Sequence, residues 1–414
     1  MTAQIKHALL VCLAALCISC NIEKETAPKR EILFQNTPQD SIPYRIPTIG
    51  QFSDGRILAL SDYRICKLDI GFGRVDIRYR ISDRKGRKWG EETVLIEGNG
   101  ISGTSDCGFG DAAMAIDRES DEVLVITVCG STVYGWGSTN RQNPNRVARL
   151  RSFDKGRTWT EWEEITEDIY SPFDESIHGC IHSCFFSSGK ITQSRSVKVG
   201  SHYRLYHVLT ARPNGNRVLY SDDFGQSWKA LGGIDALPVP AGDEAKCEEL
   251  PDGSVVVSSR VTGGRFFNVF RFIDEHSGSW GEPVFSGATK GGCTAVDNAC
   301  NGEILMIPAR RTEDDRKVTL ALQSVPLGPG RQAVGIYFKE VEGGESSQEL
   351  AGSWEGPYRV TEKCSAYSTM IQLKNGNIGF YYEEADIIAP RGYDMVYEEI
   401  PVGQICSGRY VSVK

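Results

Sequence analysis

The chain has 414 residues, a formal net charge of −8 and 40% hydrophobic residues. That apolar share is enough to build a core, which excludes a wholly disordered chain. The acidic balance argues against a protein that binds nucleic acids irrespective of sequence, because such proteins need a basic surface. The 44 glycines exceed the usual share and indicate many turns, so an all-β fold is favoured over a helical one.

The first 30 residues have the pattern of an export signal followed by a tether. Lys6 precedes the apolar run Ala8–Leu16, which is too short to span a bilayer. The run leads into Cys17–Cys20, which resembles a bacterial lipobox and implies cleavage before Cys20 and lipidation of its thiol. A soluble secreted form is the alternative, because Cys is less usual than Leu at the first lipobox position. We therefore predict a lipoprotein anchored to the cell envelope, with a signal peptide over 1–19, a lipid-anchored tether over 20–30 and a folded domain over 31–414.

A short motif recurs along the folded part. Ser152–Trp159 and Ser221–Trp228 fit the pattern S-x-D-x-G-x-[ST]-W, and Ser82–Trp89 matches its serine, glycine and tryptophan but carries Arg84 at the aspartate position. In such an Asp-box the aspartate side chain accepts hydrogen bonds from the turn, the glycine supplies a positive φ, and the tryptophan packs beneath the turn. Weaker echoes end at Trp280 and Trp354. We expect these boxes on the rim of the fold, far from any active site.

The spacing of the repeat predicts the architecture. The five motif tryptophans are 70, 69, 52 and 74 residues apart, which suits one four-stranded blade each. Residues 31–414 then divide into six units of about 64 residues. We predict one six-bladed β-propeller with four-stranded antiparallel blades. Two stacked β-sandwiches are the alternative.

One cluster offers the residue types that bind zinc, at His178, Cys180, His182 and Cys184. On a strand these side chains would share a face but follow each other about 7 Å apart, too far to converge on one ion. We therefore expect a buried strand face and no metal site. The ten cysteines after Cys20 permit disulfides, but packed free thiols are at least as common in proteins.

Tyr44-Arg45-Ile46-Pro47, upstream of the Asp-boxes, resembles the [FY]-R-I-P motif of sialidases (neuraminidases). The resemblance covers essentially all of 31–414. It implies a retaining exo-sialidase that removes terminal α-linked sialic acid and needs no metal or organic cofactor. It also implies glycoproteins, glycolipids and sialyl-oligosaccharides as partners, with no nucleic acid and no membrane contact beyond the N-terminal lipid.

The resemblance implies three arginines that bind the carboxylate on the anomeric carbon of the substrate. Arginine suits this task because its planar fork binds a carboxylate through two parallel hydrogen bonds. Arg45 matches the first position, Arg260 matches the second, and Arg331 matches the third. Arg310 and Arg311 are rivals for the third role, because they also end an apolar strand.

The implied nucleophile is a tyrosine, which the negative substrate does not repel as it would a carboxylate. Tyr367 matches the A-Y-S motif of the family. Glu244, five positions before Glu249, matches the base that takes the tyrosine proton. Glu248 is the rival, because a strand with a period of two residues puts Glu244 and Glu248 on one face.

The general acid/base matches Asp69, 24 residues after Arg45, which would protonate the leaving oxygen and then activate water. Asp62 and Asp76 are the alternatives for this role.

Three further residues match substrate-binding or supporting positions of the family. They are Arg64 near the acid loop, Asp111 as a substrate contact, and Glu383, with Glu384 as fallback, as the carboxylate that orients the first arginine.

Two other functions stay open. A non-catalytic sialoglycan-binding surface propeller would keep the three arginines but would not need Asp69, Tyr367 and Glu244 together. An enzyme with the same residues could also form its product by transfer or by intramolecular release instead of hydrolysis.

Overall fold

The computed structural model describes residues 29–36, 42–135, 138–386 and 392–413. The predicted signal peptide over 1–19, Cys20 and most of the predicted tether lie outside the described residues. The first strand, β1 (Lys29–Phe34), begins within the last two residues assigned to the tether. Among the helices that the structure describes, none is long and apolar enough to cross a membrane.

Six small β-sheets arranged as six blades confirm the predicted propeller and exclude two stacked sandwiches. Blade 1 consists of β2 (Tyr44–Gln51), β3 (Ile57–Tyr63), β4 (Asp76–Ile81) and β5 (Thr93–Ile96). Blade 2 is built on β6 (Phe109–Ile116), β7 (Val123–Cys129), β8 (Arg146–Ser152) and β9 (Glu163–Glu164).

The next six strands supply blade 3 and one extra strand of blade 2. They are β10 (Ser183–Phe186), β11 (Gly189–Lys190), β12 (Thr192–Val199), β13 (His202–Arg212), β14 (Gly215–Ser221) and β15 (Lys229–Ala230). β11 pairs in parallel with β6, and the other five form blade 3.

Blade 4 is built on β16 (Ala245–Glu249), β17 (Val255–Val261), β18 (Gly263–Phe272) and β19 (Gly278–Trp280), with β20 (Val284–Phe285) and β21 (Thr294–Ala295) also paired to β18. Blade 5 consists of β22 (Ile304–Arg311), β23 (Lys317–Pro326), β24 (Val334–Val341) and β25 (Glu355–Arg359), to which β29 (Tyr410–Ser412) is added. Blade 6 consists of β26 (Cys364–Gln372), β27 (Ile378–Ala385), β28 (Asp394–Ile400) and β1.

The helices are short and lie in the connections. They are α1 (Thr166–Tyr170), α2 (Ser347–Ala351) and α3 (Val402–Ile405), with single 3₁₀ turns at Ser171–Phe173 and Ser286–Ala288.

Blade 6 closes the ring, because β1 from the N-terminal part pairs antiparallel with β28 near the C-terminus. An ion pair between Arg30 and Glu384 ties this strand to β27. The apolar core follows the ring as separate clusters that fill the spaces around and between blades, such as the cluster that joins Leu124 of blade 2 to Leu219 of blade 3.

The Asp-boxes form the turns between the third and fourth strands of their blades. In the box of blade 3, Asp223 Oδ1 accepts the backbone N–H of Ser227 at 2.9 Å. In the imperfect box of blade 1, Asp83 accepts the N–H of Arg87 at 2.8 Å, so the carboxylate is present one position earlier than the motif has it. Because consecutive strands are antiparallel, these turns lie at the opposite end of each blade from the start of its first strand.

The expectation of one buried strand face over 178–184 is wrong. Cys184 is buried in β10, but His178, Cys180 and His182 precede that strand in an irregular segment, and the two histidines are exposed. Gly179 has φ +81°, a conformation that a continuous strand does not allow. The ten cysteines that the structure describes are free thiols.

Candidate active site

A cavity of about 310 Å³ opens at the end of the ring where the first strands of the blades begin. The predicted site residues that line it come from five blades: Arg45, Arg64, Asp69, Asp111, Glu244, Arg260, Arg331 and Tyr367. Glu383 lies behind Arg45. The fold therefore brings together residues that are more than 300 positions apart in the sequence.

Register shifts in β2, β6 and β26 shape the mouth of this cavity. At these shifts some backbone N–H groups have no partner in the sheet, and they donate hydrogen bonds to buried carboxylates instead. Glu383 accepts the N–H groups of Ile46 at 2.8 Å and Tyr367 at 3.0 Å, and Asp62 accepts that of Asp111 at 3.0 Å. Ile46 and Asp111 have φ of 63° and 52°, which non-glycine residues rarely adopt, so these carboxylates hold a strained backbone in place.

Tyr367 and Glu244 form the centre of the site. The Tyr367 hydroxyl donates to Glu244 Oε2 at 2.6 Å, and Arg260 Nη1 donates to the same hydroxyl at 3.0 Å. Arg260 also forms an ion pair with Glu244. Burial and the Glu244 charge raise the pKa of Tyr367 well above its usual value. The resting phenol is therefore neutral, with its proton directed at a carboxylate.

Arg45 is held from behind by Glu383. Its Nε and Nη2 atoms donate to the two carboxylate oxygens at 2.7 and 3.3 Å. Together with the two backbone N–H groups, these contacts satisfy a carboxylate that is fully buried. The guanidinium carbons of Arg45 and Arg331 lie 5.4 and 5.6 Å from the centre of the Tyr367 ring, so both cations flank the phenol.

Arg331 differs from the other two arginines. Among the described residues, no carboxylate oxygen lies within 4.0 Å of its guanidinium group. Its backbone carbonyl accepts the N–H of Ser365 at 3.0 Å, which fixes it beside β26. The rivals Arg310 and Arg311 do not line the cavity and pair with Asp315 and with Glu340. Arg331 is therefore a fixed cation with free donors that face the cavity.

A second group of charges surrounds Arg64. Its guanidinium lies 3.1 Å from Asp62, 3.1 Å from Asp69 and 3.5 Å from Asp111. One cation does not balance three carboxylates. Burial raises the pKa of Asp62 to about 7 and that of Asp111 well above its usual value, although Arg64 opposes both shifts. Both shifts favour the protonated form of these two carboxyl groups.

Asp69 is the most exposed carboxylate of this group, with 61% of its side chain exposed, against 16% for Asp111. The alternatives are placed differently. Asp62 is buried beneath Arg64, and Asp76 is buried against Arg74 and Arg78. Neither alternative lines the cavity, whereas Asp69 does.

Glu248 and Glu384 lie outside the site. Glu248 lines a different cavity, at the far end of β16, and pairs with Lys190 and Arg195. Glu384 faces β1, where it pairs with Arg30.

Other lining residues carried no motif that the sequence could reveal. The most notable is Asp243, 3.9 Å from Arg260 Nε. Tyr393 lies next to the cavity without lining it, and its ring is 5.3 Å from the Arg45 guanidinium carbon. Adjacency to Glu244 is the signal that could have identified Asp243. Tyr393 follows a segment without a recognisable pattern.

The chain is similar to known proteins over most of its length. A model of the BNR repeat-like domain family matches residues 71–380. A sialidase of Micromonospora viridifaciens is 26% identical over 378 residues, which are 88% of this chain and 53% of that relative. The chain thus spans about half the length of this relative.

Solved structures share the fold. The Hadza microbial sialidase Hz136 superposes with a TM-score of 0.71 at 20% identity, over 91% of this chain and 69% of that chain. The intramolecular trans-sialidase from Ruminococcus gnavus, in complex with oseltamivir carboxylate, superposes with a TM-score of 0.68 at 16% identity, over 91% of this chain and 98% of that chain.

Proposed function

Because this chain belongs to the BNR repeat-like domain family, we propose that it is a retaining exo-sialidase that hydrolyses terminal α-linked sialic acid. One observation carries the proposal. The neutral Tyr367 hydroxyl donates a hydrogen bond to Glu244 in a cavity that three arginines line, and among the described residues Arg331 has no carboxylate partner. A ligand that fits this arrangement has a carboxylate beside an electrophilic carbon.

The arginines would bind the substrate carboxylate next to the anomeric carbon. Arg331 has free donors for it, and Arg45 is oriented by Glu383. The same carboxylate explains the choice of nucleophile. An anionic side chain would be repelled by it, whereas the neutral phenol of Tyr367 is not.

In the first step, the Tyr367 oxygen forms a bond to the anomeric carbon while the bond to the leaving oxygen breaks. The phenolic proton passes to Glu244, and Asp69 donates a proton to the leaving oxygen. In the second step, Asp69 takes a proton from water, the water oxygen displaces the tyrosine oxygen, and Glu244 returns the proton to Tyr367. Two inversions at one carbon give net retention.

The proposal is tested by adding the protein to 3′-sialyllactose and 6′-sialyllactose and following the products by ¹H NMR. We expect free sialic acid, first as the α-anomer and then as the equilibrium mixture. A β-anomer that appears first would overturn retention. An anhydro sugar or a transfer product would favour the alternative outcomes, and binding without release would favour the non-catalytic surface propeller.

Replacing Arg331 by Met is expected to lower kcat/KM on sialyllactose about 100-fold, because charge-assisted hydrogen bonds to the carboxylate are lost. The melting temperature should stay unchanged, since no described carboxylate depends on Arg331. The matched control is Arg310→Met, which removes an exposed arginine outside the cavity. Equal effects of the two changes on kcat/KM would contradict the role of Arg331.

We also propose that the protein is anchored to the cell envelope through lipid on Cys20. The support is the lipobox-like sequence and the polar segment that follows it. The variant Cys20→Ser is expected to move from the membrane fraction to the soluble fraction, as measured by immunoblotting. An unchanged distribution would contradict lipidation at this residue.

A further inference from the structure

Three charged side chains share one face of β16, the first strand of blade 4, and of the residue just before it. Glu244, Lys246 and Glu248 alternate with neighbours that face the other side, so all three lie on the same face of the strand. Glu244 continues the ladder of β16, because its carbonyl accepts the N–H of Arg260 at 2.9 Å. The three residues are 5%, 1% and 1% exposed. A buried cation therefore lies between two buried carboxylates.

The Lys246 ammonium group reaches the axis itself, because its neighbours come from three other parts of the ring. A Cβ atom built on Gly189 of β11 would lie 2.6 Å from Lys246 Nζ. It would also lie 3.4 Å from Thr369 Oγ1 of β26 and 3.5 Å from Glu303 Oε2, just before β22. Gly189 thus leaves the space that the ammonium group occupies.

The two outer carboxylates have direct partners, but Lys246 does not. Glu244 pairs with Arg260, and Glu248 pairs with Lys190. Lys246 Nζ has no hydrogen-bond acceptor among the described residues. Glu303 Oε2 accepts from Thr369 at 2.9 Å, whereas Glu303 Oε1 has no partner among the described residues. A direct salt bridge does not neutralise the Lys246 charge.

A charge in this environment acts over a longer distance than one in water, because the local dielectric constant is low. Burial lowers the pKa of Lys246, and the fields of Glu303 and Glu244 oppose that shift. Burial raises the pKa of Glu303, and Lys246 opposes that shift. The charges of Lys246, Glu303 and Glu244 are therefore coupled through space.

We propose that Lys246 is a positioning residue for the base of the reaction: its buried ammonium group, on the same strand face as Glu244, stabilises negative charge on the Glu244 side chain, and Glu303 is the counter-charge that limits this effect. The inference rests on the proposed function for the role of Glu244. It predicts that Lys246 sets how far activity extends into acidic pH.

Other titratable and charged groups surround Glu244 and Lys246 and contribute to the electrostatic potential at both side chains. The titratable and charged groups around Glu244 are Arg260, Tyr367, Asp243, Asp111, Arg265 and Cys300. Those around Lys246, besides Glu244 and Glu303, are Arg265, Lys190, His207 and Cys247. Among the variants below, only the control Lys190→Met removes one of these groups.

The test measures kcat/KM against pH for Lys246→Met and Glu303→Gln. In Lys246→Met the acidic limb is expected to move to higher pH by about one unit, because Glu244 loses a stabilising cation. In Glu303→Gln the acidic limb of the profile should stay in place or move to lower pH, because the change removes an anion that disfavours negative charge on Glu244. Both changes remove a charge from the same buried cluster, so a merely structural role would move both limbs in the same direction. That result would overturn the proposal.

Two further variants keep the test decisive. Lys246→Met together with Glu303→Gln removes both buried charges and leaves no unpaired ion. Its acidic limb should lie at higher pH than that of Glu303→Gln, and this comparison decides the test if Lys246→Met alone does not fold. The control Lys190→Met removes a cation from the same axis, but one that is directly paired with Glu248. It should move the limb by less than half as much, and an equal shift would overturn the specific role of Lys246.

A measurement without substrate separates this inference from the proposed function. The titration of Glu244 is followed by ¹³C NMR of protein with labelled glutamate carboxyls, and the resonance is identified by its loss in Glu244→Gln. If the wild-type protein releases no sialic acid, the proposed function fails, but the titration still decides whether Lys246 acts on Glu244. A midpoint that is unchanged in Lys246→Met would overturn the inference.

Discussion

Replacing Tyr367 by Phe is expected to lower kcat for sialyllactose at least about 10³-fold, the largest catalytic loss of any single change in this chain. The hydroxyl that would attack the anomeric carbon is removed, while the ring that packs between Arg45 and Arg331 is retained. KM should change much less than kcat, because the three arginines remain. Initial rates of sialic acid release over a range of concentrations separate the two constants.

The matched control is Tyr381→Phe, which removes a buried tyrosine hydroxyl from the same blade. That hydroxyl lies 2.6 Å from Ser61 Oγ, and Tyr381 does not line the cavity. It should retain most of the activity. If Tyr367→Phe keeps wild-type kcat, or if both variants lose activity alike, Tyr367 is not the nucleophile.

Replacing Arg45 by Met is expected to cost both substrate binding and stability. Glu383 is fully buried, and among the described residues both hydrogen bonds that a side chain donates to it come from Arg45. Without this cation an unpaired carboxylate stays in the interior, and we expect the free energy of unfolding to fall by about 3 kcal/mol. The effect should appear in denaturant unfolding as a lower midpoint with an unchanged slope.

The double variant Arg45→Met with Glu383→Gln separates the two losses. Its neutral amide has no charge to bury, so much of the stability should return while substrate binding stays weak. A single variant as stable as the wild type would show that Glu383 does not depend on Arg45. Arg331→Met is the natural comparison, since it should weaken substrate binding with no loss of stability.

The propeller fold could be predicted from the sequence because the Asp-box motif recurs along the chain. Each Asp-box is a local turn whose hydrogen bonds close within eight residues, so it can be recognised without knowledge of the rest of the chain. The extra strands were not predictable. β11 has two residues, and its parallel pairing with β6 is set by distant packing and not by its own sequence.

The site was predictable where a motif marked it and ambiguous where strand periodicity had to decide. Strand periodicity could not choose between Glu244 and Glu248, because it puts both side chains on one face. In the structure Glu244 immediately precedes β16 and lines the candidate active site, whereas Glu248, near the end of β16, lines a different cavity. No motif or spacing in the sequence marked Lys246 as a residue of the site. A lysine on a buried face has meaning only when its neighbours from other blades are known, and Gly189 and Glu303 lie far from it in sequence.

The closure of blade 6 has a consequence for how the chain is made. Lys29 of β1 pairs with Glu399 of β28, about 370 residues later. At roughly 5 to 20 residues per second, β1 waits on the order of 20 to 70 seconds of synthesis before its partner strand exists. During that time β28 cannot cover the edge of β1, and an uncovered strand edge invites pairing with other chains. Slow synthesis should therefore favour aggregation of this protein more than of one whose strands pair only with near neighbours.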